Sequence, residues 1–259
     1  MVNSRNIVKE TKETNINRTL QNISEKRDNT FNDNPETLVF IPARGGSKGI
    51  PGKNIKKING KSLLHYTINA SLKSKYISKT IVSTDDIKIA KEAKKNGAEV
   101  INRPKNLAND KAQIEPVMIH VLKKLKKNEC YIPDIVILLQ NTSPLRTSKD
   151  IDNAFQQFKR TKIDSILSAS PSHQFIWRTN KKLAKPFNYN PNHRSNRQEI
   201  SKDFKENGAI YITKYQNFLK SECRISGKTG IFEMPEHKSF EVDSKIDLSI
   251  IEFILKTQG

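Results

Sequence analysis

Short apolar runs alternate with amphipathic segments along most of this chain. The apolar runs hold few polar positions, which is typical of strands that are buried on both faces of a sheet. Between them, apolar residues recur at helical spacing, and several of these segments begin at a capping residue or end at glycine. The pattern predicts strands at residues 38–41, 80–84, 98–101, 134–139, 164–169, 208–213, 229–234 and 240–242. It predicts helices at residues 62–72, 87–96, 114–127, 149–159 and 246–255.

This alternation predicts an α/β fold with a mostly parallel, doubly wound sheet that helices cover on both faces. Two segments depart from it. Residues 1–36 are polar and poor in aromatic side chains, so we expect a disordered or weakly structured tail. Residues 171–204 contain three prolines and show no sustained period, so we expect an excursion from the core. Residues 37–259, including this excursion, are expected to form one domain.

The 259-residue chain carries a net charge of +19, which suits an anionic substrate or partner. Its lysines are spread out, without the aromatic pattern or zinc-ligand spacing of common nucleic-acid binders, so a small anionic substrate is the simpler interpretation. No apolar run approaches the roughly 18 residues of a membrane span, and the start lacks the apolar core of a secretory signal. Cys130 and Cys223 have no metal-ligand or redox spacing. We therefore expect a cytoplasmic protein that binds neither nucleic acid nor membranes.

A loop rich in glycine and positive charge follows the first predicted strand. Its glycines are Gly45, Gly46, Gly49 and Gly52, and its cations are Arg44, Lys48 and Lys53. Glycine lets backbone N–H groups turn toward an anion, and the cations neutralise that anion. The Walker A pattern is absent, because Ser47 and Asn54 occupy its first and last positions, and so is the Rossmann G-x-G-x-x-G. The residues alone predict a phosphate-binding turn, with a tight, exposed structural turn as the alternative.

Polar clusters follow several other predicted strands. They lie at residues 83–86, 140–144, 207–208 and 241–243. In an open α/β sheet, ligands bind beyond the carboxyl ends of the strands, so we expect these clusters to converge with the glycine-rich loop. Glu241 and Asp243 are two residues apart, which on an extended strand points both carboxylates to one face, as a divalent metal requires. Taken alone, the same pair also fits a solvated strand.

Several motifs resemble those of the acylneuraminate cytidylyltransferases, or CMP-sialic acid synthetases. The matching segments are residues 44–54 (the glycine-rich signature), 82–85, 103–104, 138–146 (LLQPTSPLR) and 207–211 (NGAIY). They occur in the family's order, with Asn141 in place of the first proline of LLQPTSPLR. The resemblance covers residues 38 to about 255 and implies a Rossmann-like nucleotidyltransferase fold. It also implies transfer of CMP from CTP to the anomeric hydroxyl of an acidic nonulosonic sugar, with release of pyrophosphate.

The resemblance further implies roles for individual residues. Those implied to bind the nucleotide are Ala43, Arg44, Ser47, Lys53, Asn54, Ser83, Arg103 and Asp110. Those implied to bind the sugar are Gln140, Arg197, Lys205 and Tyr211, with Arg197 coming from the neighbouring subunit. Asp243 and Glu241 are implied to hold Mg²⁺ or Mn²⁺, and Arg44, Lys53 and Asp243 to be catalytic. Glu241 stands where the family has aspartate. Lys205 stands where many members have arginine, so a point charge takes the place of arginine's bidentate hydrogen bonds to a carboxylate.

The resemblance implies a homodimer formed through residues 171–204, with CTP and an acidic nine-carbon sugar as substrates. His173, His193 and Arg194 lie in this excursion and could assist an acidic sugar, whereas the other histidines are expected to be structural or exposed. One alternative is the same reaction on legionaminate, pseudaminate or 3-deoxy-manno-octulosonate. An alternative from another class is a non-catalytic module that binds a sugar nucleotide or nucleic acid.

Overall fold

The computed structural model describes residues 34–47, 49–194 and 203–257. The predicted tail therefore lies outside the described residues except for its last three positions, and Lys48 and Arg197 lie outside them as well. Within the described ranges, no helix combines the length and the apolarity needed to cross a bilayer.

Strands and helices alternate along the described chain, as the hydrophobic pattern predicts. The strands are β1 (Thr37–Pro42), β2 (Lys57–Ile58), β3 (Lys61–Ser62), β4 (Lys79–Thr84), β5 (Glu99–Asn102), β6 (Ile135–Leu138), β7 (Ser165–Ser172), β8 (Trp177–Asn180), β9 (Leu183–Pro186), β10 (Asp203–Lys214) and β11 (Thr229–Glu233). The helices are α1 (Leu63–Leu72), α2 (Ile87–Lys95), α3 (Ile114–Glu129), α4 (Ser148–Thr161), α5 (Tyr215–Ser221) and α6 (Lys245–Thr257). Short 3₁₀ turns lie at Lys53–Ile55, Lys105–Leu107 and Glu236–Lys238.

Among the described residues, seven strands form one sheet in the order β11-β7-β10-β6-β1-β4-β5. Neighbours pair in parallel except at β10, which runs antiparallel to both β6 and β7. The predicted mostly parallel α/β sheet is thereby confirmed. The central strand β6 is buried along its whole length, which explains its unbroken apolar sequence. Strands β8 and β9 form a separate antiparallel hairpin within the predicted excursion.

The predicted strand at residues 240–242 is wrong. These residues belong to no strand, and Val242 N donates to the carbonyl oxygen of Thr142 (2.8 Å), in the loop after β6. Helix α5 was not predicted, because it buries only Tyr215 and Phe218 and so shows no sustained helical period. The two-residue strands β2 and β3 are also too short to leave a hydrophobic pattern.

Two of the apolar clusters among the described residues bear on where the polar loops lie. The larger one packs α3 against the sheet and includes Leu38, Phe40, Val121, Leu138 and Tyr211. The smaller one consists of Ile50, Ile58, Leu63, Leu145, Val242 and Ile251. It joins the glycine-rich loop, the start of α1, the loop after β6 and helix α6. Burying one aliphatic side chain stabilises a fold by about 1.5–3 kcal/mol, so this small cluster fixes the relative positions of the polar loops.

Candidate active site at the carboxyl ends of the strands

The loops that follow β1, β4 and β5 meet at one edge of the sheet. Ala43 N donates to the carbonyl oxygen of Ser83 (3.0 Å), and Arg103 N donates to that of Thr84 (2.8 Å). The chain thus stays paired just beyond the strand ends, and Ala43 and Ser83 are fully buried there. Parallel strands bring their carboxyl ends together in this way, and ligands of open α/β sheets bind at this edge.

Two arginines and two carboxylates gather beside β4. Arg44 Nη1 lies 2.7 Å from Asp110 Oδ1, and the buried Arg103 donates through Nη2 to the carbonyl oxygen of Ser83 (2.8 Å). Burial lowers the pKa of Arg103 to about 10, with Asp85 acting to raise it and Arg44 to lower it. Arg103 therefore stays charged at neutral pH, and the carboxylates of Asp85 and Asp110 balance the charges of Arg103 and Arg44. The structure therefore brings together four of the residues implied to bind the nucleotide.

The glycine-rich loop is tied to other loops near both of its ends. Gly45 N donates to Asp85 Oδ1 (2.9 Å). Gly49 lies so close to Asp243 that an added Cβ atom would sit 2.7 Å from the Asp243 carbonyl oxygen, so glycine is required there. By contrast, the Cβ position of Gly46 has nothing within 4 Å. The space beside Gly46 is therefore open, which an anion-binding turn requires.

Lys53 connects the loop to the acidic segment at residues 241–243. Its Nζ donates to the carbonyl oxygen of Val242 (2.8 Å) and lies 3.5 Å from Asp243 Oδ1. The Lys53 side chain is 18% exposed and that of Asp243 is 77% exposed, so a held ammonium group stands beside a solvent-facing carboxylate. These two groups complement a phosphate and a metal ion bound to it.

Asn54 supports the loop from behind. It is buried, its Nδ2 donates to the carbonyl oxygen of Arg44 (2.7 Å), and its Oδ1 accepts from Asn141 Nδ2 (2.8 Å). Both polar ends of the side chain therefore bond within the protein, and the implied contact of Asn54 with the nucleotide stays a prediction. Ser47, also implied to bind the nucleotide, is half-buried in the same loop.

Glu241 and Asp243 flank the buried Val242, and their carboxylates lie close enough to repel each other. Burial and the nearby Asp243 carboxylate raise the pKa of Glu241, while Lys205 and Lys53 oppose the shift. In the part of the chain that the structure describes, no group of three His, Cys, Asp or Glu side chains is arranged to hold a metal. Two carboxylates nevertheless fit Mg²⁺, which proteins often bind through one or two carboxylates plus substrate phosphates. A cation here would also relieve the repulsion between the carboxylates.

Gln140 and Glu241 converge on Gly208 in β10. Gly208 has a φ of +64°, and an added Cβ atom would collide with Oε1 of both side chains. Glycine is thus required by the backbone angle and by the close approach. Gln140, implied to bind the sugar, therefore lies beside a carboxylate implied to bind the metal.

Arg146 holds the loop after β6, although the sequence did not reveal this role. It is 2% exposed and donates to the carbonyl oxygens of Gln140 (3.1 Å) and Ala209 (2.8 Å) and to Thr67 Oγ1 (2.7 Å). Burial lowers the pKa of Arg146 to about 9, and Asp150 acts in the opposite direction. One buried guanidinium thus joins α1, β10 and the loop that carries Gln140.

Asn207 has a similar supporting role. Its Oδ1 accepts from Ser168 Oγ (2.6 Å), its Nδ2 donates to Ser239 Oγ (2.9 Å), and its carbonyl oxygen accepts from Ser143 Oγ (3.1 Å). Asn207 and Arg146 both belong to segments that carry the family resemblance, which is the signal that could have identified them.

The other residues implied to bind the sugar lie on β10. Tyr211 is 2% exposed, its ring packs in the larger apolar cluster, and its hydroxyl donates to the carboxylate of Glu206. Burial and Glu206 together raise the pKa of Tyr211. Lys205 is exposed and lines a cavity of about 440 Å³ together with His173. Lys205 and His173 are therefore open to a ligand, whereas the Tyr211 side chain is enclosed.

The hairpin of β8 and β9 and the residues that flank it form an aromatic cluster. The ring centroids of Phe175 and Tyr189 lie 4.4 Å apart, and those of Trp177 and Tyr189 lie 6.0 Å apart. The Arg194 guanidinium stands 4.2 Å from the centroid of the Phe175 ring. Trp177 is 50% exposed and Leu183 is 73% exposed, so this hairpin presents an apolar surface.

Residues 38–258 match the sequence model of a family described as cytidylyltransferase. The chain is 36% identical over 231 residues to the post-translational flagellin modification protein B of Campylobacter coli, covering 86% of this chain and 97% of that protein. It is 34% identical over 230 residues to the CMP-N,N'-diacetyllegionaminic acid synthase of Campylobacter jejuni, with the same two coverages. It is 32% identical over 218 residues to the N-acylneuraminate cytidylyltransferase A of Danio rerio, covering 83% of this chain and 49% of that protein.

A solved structure supports the fold. A CMP:2-keto-3-deoxy-manno-octonic acid synthetase complexed with CTP superposes with a TM-score of 0.64 at 19% identity, covering 86% of this chain and 100% of that chain. This likeness confirms the predicted Rossmann-like nucleotidyltransferase fold.

Proposed function

This chain belongs to the cytidylyltransferase family, as its motifs predict, and we propose that it transfers CMP from CTP to the anomeric hydroxyl of an acidic nine-carbon sugar. Two relatives are named for sugars of this class, a diacetyllegionaminate and an N-acylneuraminate. The first is similar to this chain along 97% of its own length. N,N'-diacetyllegionaminate is therefore the first acceptor to test, followed by N-acetylneuraminate and pseudaminate.

The observation that carries this proposal is the junction between the glycine-rich loop and the acidic segment. Gly49 packs on the Asp243 backbone, and Lys53 bonds to Val242 beside the Asp243 carboxylate. A loop with open space beside Gly46 thus leads to a cation and an exposed carboxylate. A triphosphate and the metal ion that accompanies it need this combination.

The order of strands in the sheet supports a division of the site into two halves. Arg103 lies beside β4, on one side of the glycine-rich loop, where the nucleoside end of CTP would bind. Gln140 and Lys205 lie at β6 and β10, on the other side, where the carboxylate of the sugar would meet positive charge. The phosphates would lie between the two halves, over the carboxyl end of β1.

In the proposed reaction, the anomeric hydroxyl attacks the α-phosphorus of CTP. An oxygen–phosphorus bond forms as the hydroxyl loses its proton, the bond from the α-phosphorus to the bridging oxygen breaks, and pyrophosphate leaves. Lys53 and Arg44 neutralise charge on the phosphates, so the protein acts mainly by positioning and electrostatics. When bound by Asp243 and Glu241, Mg²⁺ or Mn²⁺ would supply further positive charge to the phosphates.

Pyrophosphate release tests the reaction. The protein is mixed with CTP, Mg²⁺ and each nonulosonic acid in turn, with 3-deoxy-manno-octulosonate included. Release is expected with at least one nine-carbon acid and is expected to stop when EDTA removes the metal. CTP binding without release for any acid would reject turnover and favour the non-catalytic alternative.

We also propose that the hairpin of β8 and β9 pairs with a second copy of the chain. Its exposed Trp177, Leu183 and Phe187 form the kind of apolar patch that protein interfaces cover. Size-exclusion chromatography with light scattering is expected to show a dimer that Trp177→Asp with Leu183→Asp converts to a monomer. A wild-type monomer at the concentrations of the assay would contradict this.

A further inference from the structure

The side chains of Asn54 and Asn141 form a directed chain of hydrogen bonds behind the glycine-rich loop. The carbonyl oxygen of Arg44 can only accept, so the Asn54 atom 2.7 Å away must be its amide nitrogen. Asn54 Oδ1 therefore faces Asn141, where only an amide nitrogen can serve it, at 2.8 Å. The orientation of both amides follows from this network, and the donors point from residue 141 toward the loop.

This orientation has a cost at Asn141. Its Oδ1 has no hydrogen-bond partner within the described ranges, although the residue is only 3% exposed. A buried, unpaired carbonyl oxygen destabilises a fold, so stability alone does not explain this side chain. Its position does suggest a role, because the preceding residue, Gln140, faces Glu241 across Gly208. Asn141 thus stands between the half of the site that faces the sugar and the loop that faces the phosphates.

We propose that Asn141 is a positioning residue for the phosphate-binding loop. Through Asn54 it holds the carbonyl group of Arg44, and with it the start of the loop, in the geometry that receives the triphosphate. The inference rests on the proposed function. Proline, which the related motif has at this position, has no side-chain donor and cannot make the bond to Asn54. This chain therefore orders the loop through a contact that the related motif does not make.

Two substitutions separate the donor of Asn141 from its bulk. Asn141→Leu keeps a similar size without the donor, and Asn141→Asp keeps the shape but turns an acceptor toward Asn54 Oδ1. Isothermal titration calorimetry with CTP and Mg²⁺ is expected to show about tenfold weaker binding for Asn141→Leu, and a larger loss for Asn141→Asp, as losing a bond to a buried group implies. Hydrogen exchange of the peptide spanning residues 43–54 is expected to become faster in both.

Two controls keep the test specific. Val121→Ala, in α3 within the larger apolar cluster, is expected to lower Tm without changing CTP affinity or loop exchange. Adding Asn141→Leu to Asn54→Ala is expected to weaken CTP binding by no more than about twofold further, because Asn141 acts on the loop through Asn54. Unchanged loop exchange, or CTP affinity within twofold of wild type, in Asn141→Leu would overturn the proposal. If the wild type bound no CTP, the proposed function would fail, and exchange would still decide whether Asn141 orders the loop.

Discussion

Gly49 is the point where the glycine-rich loop contacts the acidic segment, so Gly49→Ala tests whether this contact is needed for an active site. The added Cβ atom would lie 2.7 Å from the carbonyl oxygen of Asp243, whereas ordinary contact begins at 3.4 Å. Loop and segment must therefore separate by roughly 0.7 Å. The carbonyl group belongs to the backbone, so no change of rotamer can relieve the contact.

The substitution should affect stability and activity by different amounts. Overpacking of this kind costs about 1–3 kcal/mol, which lowers the Tm of a domain of this size by roughly 2–12 °C. The separation also moves Lys53, whose Nζ bonds to the carbonyl oxygen of Val242, next to Asp243. Since a misplacement near 1 Å can slow an enzyme about 100-fold, we expect kcat/KM to fall by about 10- to 100-fold while the protein stays folded at 25 °C.

The assay is pyrophosphate release over a range of CTP concentrations, with Tm from differential scanning fluorimetry. Gly46→Ala is the matched control for stability, because nothing lies within 4 Å of its Cβ position. Its Tm is expected to change by less than about 2 °C. Wild-type kcat/KM in Gly49→Ala would refute the idea that this junction builds the site. An equal loss of Tm in both variants would show that a side chain at either glycine destabilises the protein, regardless of which atoms lie near the added Cβ atom.

Three further predictions follow from the site. Lys53→Ala is expected to lower kcat/KM at least about 100-fold with little change in Tm, while the exposed Lys57→Ala keeps wild-type activity. The raised pKa of Glu241 means that its contribution to stability is present below the unfolded pKa and is lost as pH rises through the folded pKa. Glu241→Gln should therefore melt above the wild type at pH 8 but not at pH 4, and equal melting at pH 8 would contradict the assigned cost of burying this charge beside Asp243. Arg146→Met leaves buried carbonyl groups without a donor and should lower Tm by at least about 6 °C; a smaller loss would show that water replaces the guanidinium.

Hydrophobic periodicity predicted the central sheet because its strands are buried on both faces. It failed where burial changes along a single element. Strand β10 runs from Asp203 to Lys214, but the sequence predicted only residues 208–213. The first four residues of β10 are partly or fully exposed and three of them are charged, and only the later part is continuously buried. The antiparallel direction of β10 also leaves no mark in its own sequence, since it depends on where the chain returns from the excursion.

The motifs predicted which polar residues the site contains but not how each one acts. Lys53 and Asp243 were both expected at the phosphates, and the structure brings their side chains to 3.5 Å. The resemblance implies that Asn54 stands beside Lys53 at the phosphates, and the structure adds that its side chain pairs with Asn141, 87 positions away. A polar pair at such a separation produces no local pattern, so sequence reasoning could not have found it.

The glycine-rich loop does not determine its own shape, because glycines resist folding into one conformation. Its shape is imposed from outside by Asp85 after β4, by Asn141 after β6 and by the acidic segment, whose Val242 lies 189 positions beyond Lys53. In a Walker A loop the metal-binding hydroxyl directly follows the lysine, so the loop carries its metal ligand with it. Here the carboxylates implied to bind the metal arrive from the far end of the chain and are held by α6 through the small apolar cluster. The distance between lysine and carboxylate therefore depends on core packing, and changes in α6 that never touch a substrate should alter catalysis.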